Sequence, residues 1–267
     1  MTSPNECPIP TNIHHQEVVM GTVITIDAYG QEGISQRQFA PHLREALATL
    51  HREDKLFSTW DLQSPMSQLR RGEISLGEAP AIVAEVLALC RTARKLSGGW
   101  FDPWALAGGV DPTGYVKGWA AQRAVNDFIG AGLDGAMVNA AGDIASIGGP
   151  SLNENFRVGI VQPSEPSQLA CVVELHSAIA TSGTYERGQH LVNPFTGEHR
   201  AVVASASVTG ADLGLADALA TALAVGGPPV LQLIEQLTGY EGFTIGFDAT
   251  QQSTPGFPFV ALRSTNC

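Results

Sequence analysis

Asp217 and Thr221 stand four residues apart in Leu215-Ala-Asp-Ala-Leu-Ala-Thr-Ala-Leu-Ala-Val-Gly-Gly227, a stretch whose composition reads as a helix. That spacing sets a carboxylate and a hydroxyl on one face, one turn apart. Leu215, Leu219 and Leu223 form a separate i, i+4 row suited to burial. Two readings fit the polar pair. In one, the helix dipole favours the Asp and the Thr hydroxyl folds into a helix groove. In the other, both oxygens are a partial ligand set for a hard cation such as Mg²⁺, which takes one or two protein side chains and completes its shell with phosphates.

Three further groups bear on chemistry. Lys117 lies in Asp111-Pro-Thr-Gly-Tyr-Val-Lys-Gly118, a glycine-containing turn ahead of a helix expected over Trp119 to Ile129. It is either a surface lysine or part of an anion cradle. The pattern of a P-loop is absent. His190, in Glu186-Arg-Gly-Gln-His, is either a core histidine or a general base. Ser97-Gly-Gly-Trp-Phe-Asp-Pro-Trp104 describes a tight turn whose backbone can approach something flat or phosphorylated.

The elements that must position these groups follow from patterning. Residues 1–15 are rich in Pro and polar residues and read as a flexible lead-in, with one domain over 16–267. Glu17 to Tyr29 is β-branched and alternating, one strand or two, interrupted at Gly21 by a bulge or a close backbone approach. Pro41 opens a helix to about Lys55, and Pro80 to Leu96 is amphipathic, with Ile82, Val83, Val86, Leu87, Leu89 and Cys90 inward. Between them, Phe57-Ser-Thr-Trp-Asp-Leu-Gln-Ser-Pro-Met-Ser-Gln-Leu69 is a turn-rich loop whose large apolar groups imply a packed lid or a ligand site.

Ala136 to Gly149 reads as strand, Gly-Asp turn and strand, and strands are also expected near 156–161, 169–175, 201–209, 242–247 and 257–262, while Ser177 to Tyr185 carries Ala180-Thr-Ser-Gly-Thr, small enough for close packing against a ligand. Helices are expected at 212–225 and 229–237. Helices and strands intersperse without strict βαβ alternation, which predicts an α+β fold with mixed or antiparallel sheets packed by helices.

The bulk properties set bounds. In 267 residues with a formal net charge of −11 there is no basic stripe, which argues against a nucleic-acid partner. Charged residues make up 15%, with 29 glycines and 16 prolines, so the chain is loop-rich without a disordered composition. Cys7, Cys90, Cys171 and Cys267 are far apart, excluding a Cys-x-x-Cys redox or zinc motif and favouring reduced thiols. The first ten residues lack a basic and apolar leader pattern, so Cys7 does not read as an acylation site. With no window of about 18 apolar residues, no membrane insertion is expected, and a soluble cytoplasmic protein is.

Taken together, Met20-Gly-Thr, Phe57-Ser-Thr-Trp-Asp, Ser97-Gly-Gly-Trp-Phe-Asp-Pro, Asp111-x-x-Gly-x-x-Lys-Gly, Val138-Asn-Ala-Ala-Gly-Asp-Ile, Thr181-Ser-Gly-Thr-Tyr-Glu-Arg-Gly-Gln-His with Asn193-Pro-x-Thr-Gly, and Asp217-Ala-Leu-Ala-Thr resemble, in this order, the ApbE family of FAD:protein FMN transferases. The resemblance runs from about Met20 to Gly227. It implies a single, T-fold-related domain and Mg²⁺-dependent transfer of FMN from FAD to a Ser or Thr hydroxyl of a target protein, with release of AMP. A flavoprotein of this kind has FAD as substrate and a flavinylated protein as partner. Hydrolysis of FAD to FMN and AMP, or FAD binding without catalysis, are the alternatives.

Residue by residue, the resemblance implies Mg²⁺ ligation by Asp217, Thr221 and a backbone carbonyl near Gly114. It implies FAD contacts from Met20, Trp60, Trp100, Phe101, Asp102, Asp111, Lys117 and Asp143, with His190 as the catalytic residue. Trp60 offers a stacking face, Lys117 a point charge for the pyrophosphate, and His190 a proton acceptor for the attacking hydroxyl. Three positions depart from the commoner pattern. Asn193 stands where Asp is usual, which bears on metal stoichiometry and on the His pKa. Ala141 replaces a Gly, and Thr184 an acidic residue; the first two are small steric or isosteric swaps.

Overall fold

Alternation along the first strand pair builds the edge of the main sheet. The computed structural model describes residues 11–30, 36–106, 108–183 and 191–260. In it β1 (Thr11–Val19) and β2 (Thr22–Gly30) pair antiparallel. Met20 at φ 56° and Gly21 at φ 70° form the two-residue link. Positive φ at both positions matches the right-handed twist of the flanking strands. Gly21 is therefore a turn glycine and not a bulge, and β1 takes in residues 11–15, which composition alone reads as lead-in.

The remaining strands are β3 (Gly135–Ala140), β4 (Asp143–Gly148), β5 (Phe156–Val161), β6 (Leu169–Leu175), β7 (Ala178–Gly183), β8 (Ser205–Gly210), β9 (Glu241–Ile245) and β10 (Gln251–Ser253). Eight of them form one sheet in the order β1-β2-β3-β4-β7-β8-β9-β10, and β5 and β6 form a separate hairpin. Every described pairing is antiparallel. The α+β expectation holds, with the sheets antiparallel and not mixed. Of the strand expected at 257–262, the described residues 257–260 hold a bridge between Val173 and Phe259, and the last described strand is β10.

Among the described residues the helices are α1 (Gln36–Phe57), α2 (Pro65–Arg70), α3 (Ala81–Leu96), α4 (Thr113–Asn126), α5 (Leu213–Gly226) and α6 (Pro228–Glu235). Two boundaries correct the pattern reading. α1 begins before Pro41, which lies inside it. α4 begins at Thr113 and not near Trp119, so Gly114, Lys117 and Gly118 are helical and not turn residues. Leu89, expected inward on α3, is 40% exposed.

One face of the main sheet packs on α4 and α5. Ile24, Ile26, Val138, Ala140, Ala180, Ala206 and Val208 meet Ala120, Ala121, Leu219 and Leu223, all buried. Burying a Leu of this kind contributes about 1.5–3 kcal/mol relative to exposure. The opposite face carries Ile144, Ile179, Phe243 and Ile245, covered by Phe156, Ile160, Val173 and Leu175 of the β5–β6 hairpin. Among the described residues no helix is long and apolar enough to cross a membrane.

Candidate active site

Two glycines decide how α4 meets α5. A Cβ at Gly118 would lie 2.5 Å from the Leu213 carbonyl oxygen and 3.1 Å from the Asp217 Cβ. A Cβ at Gly114, one turn earlier, would lie 3.4 Å from the Thr221 hydroxyl and 3.3 Å from the Phe101 ring. Glycine spacing on α4 thus matches the Asp217–Thr221 spacing on α5, and each polar side chain faces a glycine. The Asp217 carboxylate is 4% exposed, and its Oδ2 accepts from the Gly118 N–H at 3.2 Å. The Thr221 hydroxyl sits 3.3 Å from the hydroxyl of Ser182 on β7. Asp212, five residues ahead of Asp217, caps the helix by accepting from the Leu215 N–H at 2.7 Å. Asp217 is therefore free of the capping role that its position in the first half of the helix suggests.

Lys117 points the other way around α4, toward the sheet. It forms an ion pair with Asp143, the first residue of β4, and donates to the Ala140 carbonyl at 3.4 Å. Asp143 is 1% exposed and also accepts from the Thr181 N–H at 3.3 Å. The adjoining turn, Ala141 at φ 52° and Gly142 at φ 92°, is closed by Asn139 Oδ1 accepting from the Gly142 N–H at 2.9 Å. The swap at Ala141 is therefore more than steric, since its Cβ sits in the left-handed region. Met20 lies at the same end of the sheet, because Ile24 of β2 is in register with Ala140. It is partly buried against the core, with a positive φ unusual for Met.

The aromatic turn after α3 approaches from the side. Gly98 at φ 63° and Gly99 at φ 86° allow the chain to reverse. Trp100 then packs edge-on to Phe195, centroids 4.8 Å apart, and Phe101 is buried at 5% exposure. Asp102 uses both oxygens locally: Oδ2 accepts from Arg94 Nε at 2.7 Å and Oδ1 from the Trp104 N–H at 3.0 Å. Arg91, Arg94, Asp102 and Trp104 line an open cleft of about 470 Å³. Asp111 pairs with Arg70 at 3.0 Å and accepts from the Thr113 N–H at 3.1 Å, fixing the start of α4. The stretch from Phe57 to Leu69, expected as a loop, divides: Phe57 ends α1 and Met66 lies in α2, both core residues, whereas Trp60 is 91% exposed on a turn held by the Ser58 hydroxyl.

Gly114, Asp217 and Thr221 are thus together, and Lys117, Asp143 and Met20 share one end of the sheet. Phe101 presents its ring to Gly114 and the core, and Asp102 faces Arg94. His190 and Thr184 lie outside the described residues. Asn193 closes the following turn, accepting from the Phe195 N–H at 2.9 Å, a bond an Asp in its place would also accept. Cys90 and Cys171 are free, and burial pushes their thiols up to about 12 and about 11, so neither is a nucleophile. Sequence reasoning missed Arg70, Arg94, the role of Gly118, and Ser182. The last was legible from alternation, which puts Ser182 on the same face as Ala178 and Ala180.

The arrangement has relatives. Over 127 residues the chain is 34% identical to an FAD:protein FMN transferase of Rhodobacter capsulatus, a match that covers 44% of this chain. The chain spans 24% of the length of that relative. In fold it is similar to the flavin transferase ApbE from Vibrio cholerae, with TM-score 0.80 at 20% identity over 94% of this chain and 100% of that one. It is also similar to Pseudomonas stutzeri flavinyl transferase ApbE in its apo form, with TM-score 0.77 at 21% identity over 94% and 97%. The ApbE protein of Thermotoga maritima gives 0.76 at 21% over 92% and 97%. At these identities the structures speak for the fold. The sequence profile of the ApbE family matches residues 20–107 and 107–244, most of the chain and every motif that builds the α4–α5 crossing, and the chain belongs to that family.

Proposed function

We propose that this chain is a Mg²⁺-dependent FAD:protein FMN transferase, moving FMN from FAD to a Ser or Thr hydroxyl of a target protein and releasing AMP. The observation that carries the reading is the matched pair of contacts across α4 and α5, Gly118 with Asp217 and Gly114 with Thr221. The name of the Rhodobacter relative supports it.

The donor set fits Mg²⁺. Asp217, Thr221 and a carbonyl near Gly114 are all hard oxygens, and the missing Cβ at Gly114 leaves the Thr221 hydroxyl open on that side. Among the described residues no group of three or more His, Cys, Asp or Glu could hold a metal ion. One carboxylate with neutral oxygens is the partial set that suits a cation whose shell is completed by substrate phosphates. When bound, Mg²⁺ would neutralise charge on the phosphoanhydride as it breaks.

The chain's own residues supply the rest. Lys117, steadied by Asp143, offers a point charge for the pyrophosphate. Asp143 faces Lys117 and the Thr181 N–H, so it holds the lysine in place and is not itself a contact for an anion. Trp60 presents an exposed ring to the flavin or adenine. In the transfer the acceptor oxygen bonds to the FMN phosphorus, the bond from that phosphorus to the oxygen of AMP breaks, and AMP leaves. The hydroxyl proton goes to a base, a role that falls to His190 on the motif.

The test is incubation of the full chain with FAD, Mg²⁺ and an acceptor protein with an exposed Ser/Thr segment. AMP and a covalently fluorescent acceptor band are expected, and both disappear with a chelator. AMP without acceptor labelling would make the protein a pyrophosphatase. Bound FAD with no AMP over hours would make it a flavin-binding protein.

A further inference from the structure

The Thr221 hydroxyl has one proton and two lone pairs. As a cation ligand it must turn a lone pair to the metal, so its proton needs another acceptor. Ser182 provides one. Its Oγ lies 3.3 Å from Thr221 Oγ1, reaching across from β7 to α5. Strand alternation holds it there: Ala178 and Ala180 are buried on the helix-facing side, and Ser182 continues that row in register with Ala206 of β8. Asp217 is held from the opposite side by the Gly118 N–H of α4. Each side-chain oxygen of the pair thus meets an orienting group on a different element.

We propose that Ser182 is a positioning residue for the cation site, accepting the Thr221 proton so that the Thr221 lone pairs face the metal. The proposal rests on the Mg²⁺ reading of Asp217 and Thr221. Ser182 acts through Thr221, the side chain its hydroxyl meets. It sets the direction of the Thr221 hydroxyl proton and so acts on affinity before it acts on rate. Partners that orient a ligand in this way typically change metal affinity by about 10–100-fold when removed.

The probe is Mn²⁺, titrated into the full chain with saturating ADP as the pyrophosphate donor and read by electron paramagnetic resonance. Wild type binds and Asp217→Ala does not. Ser182→Ala weakens binding by about 10–100-fold. Ser182→Thr, which keeps the hydroxyl, retains most of the affinity, and the melting temperature of each metal-free variant stays near wild type. If wild type and Asp217→Ala bind alike, the metal reading itself fails. If Asp217→Ala loses binding while Ser182→Ala keeps it, the metal reading stands and the role of Ser182 is overturned. Equal losses in Ser182→Ala and Ser182→Thr also overturn it, because packing and not the hydroxyl would then be responsible.

Discussion

On the face of the main sheet that carries α4 and α5, the buried carboxylates Asp217 and Asp143 are held from afar. On the face under the β5–β6 hairpin, the hydroxyls of Thr181 and Ser207 hold each other. Asp217 receives an N–H from a residue 99 positions away, and Asp143 one from 38 positions away. On the other face Thr181 and Ser207 are register partners on adjacent strands, and their hydroxyls sit 2.9 Å apart beside Phe243. A hydroxyl pair needs only sheet register to be satisfied. A buried carboxylate needs an ion pair or directed N–H donors, or its desolvation is uncompensated. The first arrangement serves folding. The second holds oxygens with lone pairs to spare, which a cation can use. Thr181 belongs to both, since its N–H faces Asp143 and its hydroxyl faces Ser207.

The comparison breaks most easily at Asp217. Asp217→Ala is expected to lower metal-dependent AMP release by on the order of 10²-fold or more. The helix stays folded, because Ala is the better helix former. Retained turnover would remove Asp217 from the site. Gly118→Ala is the next largest effect. Its Cβ would meet the Leu213 carbonyl at 2.5 Å, a backbone atom that cannot turn away. Overpacking of this kind costs about 1–3 kcal/mol. It should be read by denaturant unfolding together with Mn²⁺ affinity, and both should fall, since α5 moves away with Asp217 on it.

How much of this was legible in the chain depends on whether the cause was local. The faces of β2 follow from Ile24, Ile26 and Ala28 at period two, and α3 ends at Gly98 and Gly99 as patterning says it should. α4 is the counterexample. Gly114 and Gly118 read as turn residues until Thr221 is known to lie against the first, and the Leu213 carbonyl and Asp217 against the second. Their use is steric and sits on another helix. The pairs Arg70–Asp111 and Arg94–Asp102 leave no periodic trace either, because an ion pair constrains two positions and nothing between them. From Phe57 to Leu69, composition could not separate buried Phe57 and Met66, which the structure places in α1 and α2, from exposed Trp60. Asp217 and Thr221 were visible by spacing alone, yet their partners became visible only in space.

On the hairpin-covered face the effect should fall on stability alone. Ser207→Ala leaves the half-buried Thr181 hydroxyl without this partner, which costs about 1 kcal/mol. For a chain of this size that is about 2–4 °C of melting temperature per kcal/mol. Mn²⁺ affinity and AMP release per folded molecule should not change, because the Thr181 N–H to Asp143 does not depend on that hydroxyl. A loss of affinity would show that Thr181 transmits between the faces and that the division is false.

The smallest effect belongs to the turn at the site end of the sheet. Ala141 holds φ 52° where the Met20 turn holds φ 56°, and in each the second residue is Gly. A left-handed L-residue carries roughly 1–2 kcal/mol of strain, and Gly at that position returns part of the gain by loosening the unfolded chain. Ala141→Gly should therefore stabilise by about 0.5–1 kcal/mol, and Gly142→Ala, at φ 92°, should destabilise by about as much or more. Both are read as shifts in the denaturation midpoint at constant slope. The Ala140 carbonyl beside this turn accepts from Lys117, so relief of strain next to it also tests whether the charged end of the helix-facing side is held under tension. If Ala141→Gly gains stability while FAD affinity stays constant, the strain is only a cost of the residue at 141. If affinity falls with it, the strained turn is part of how Asp143 and Lys117 are kept in line.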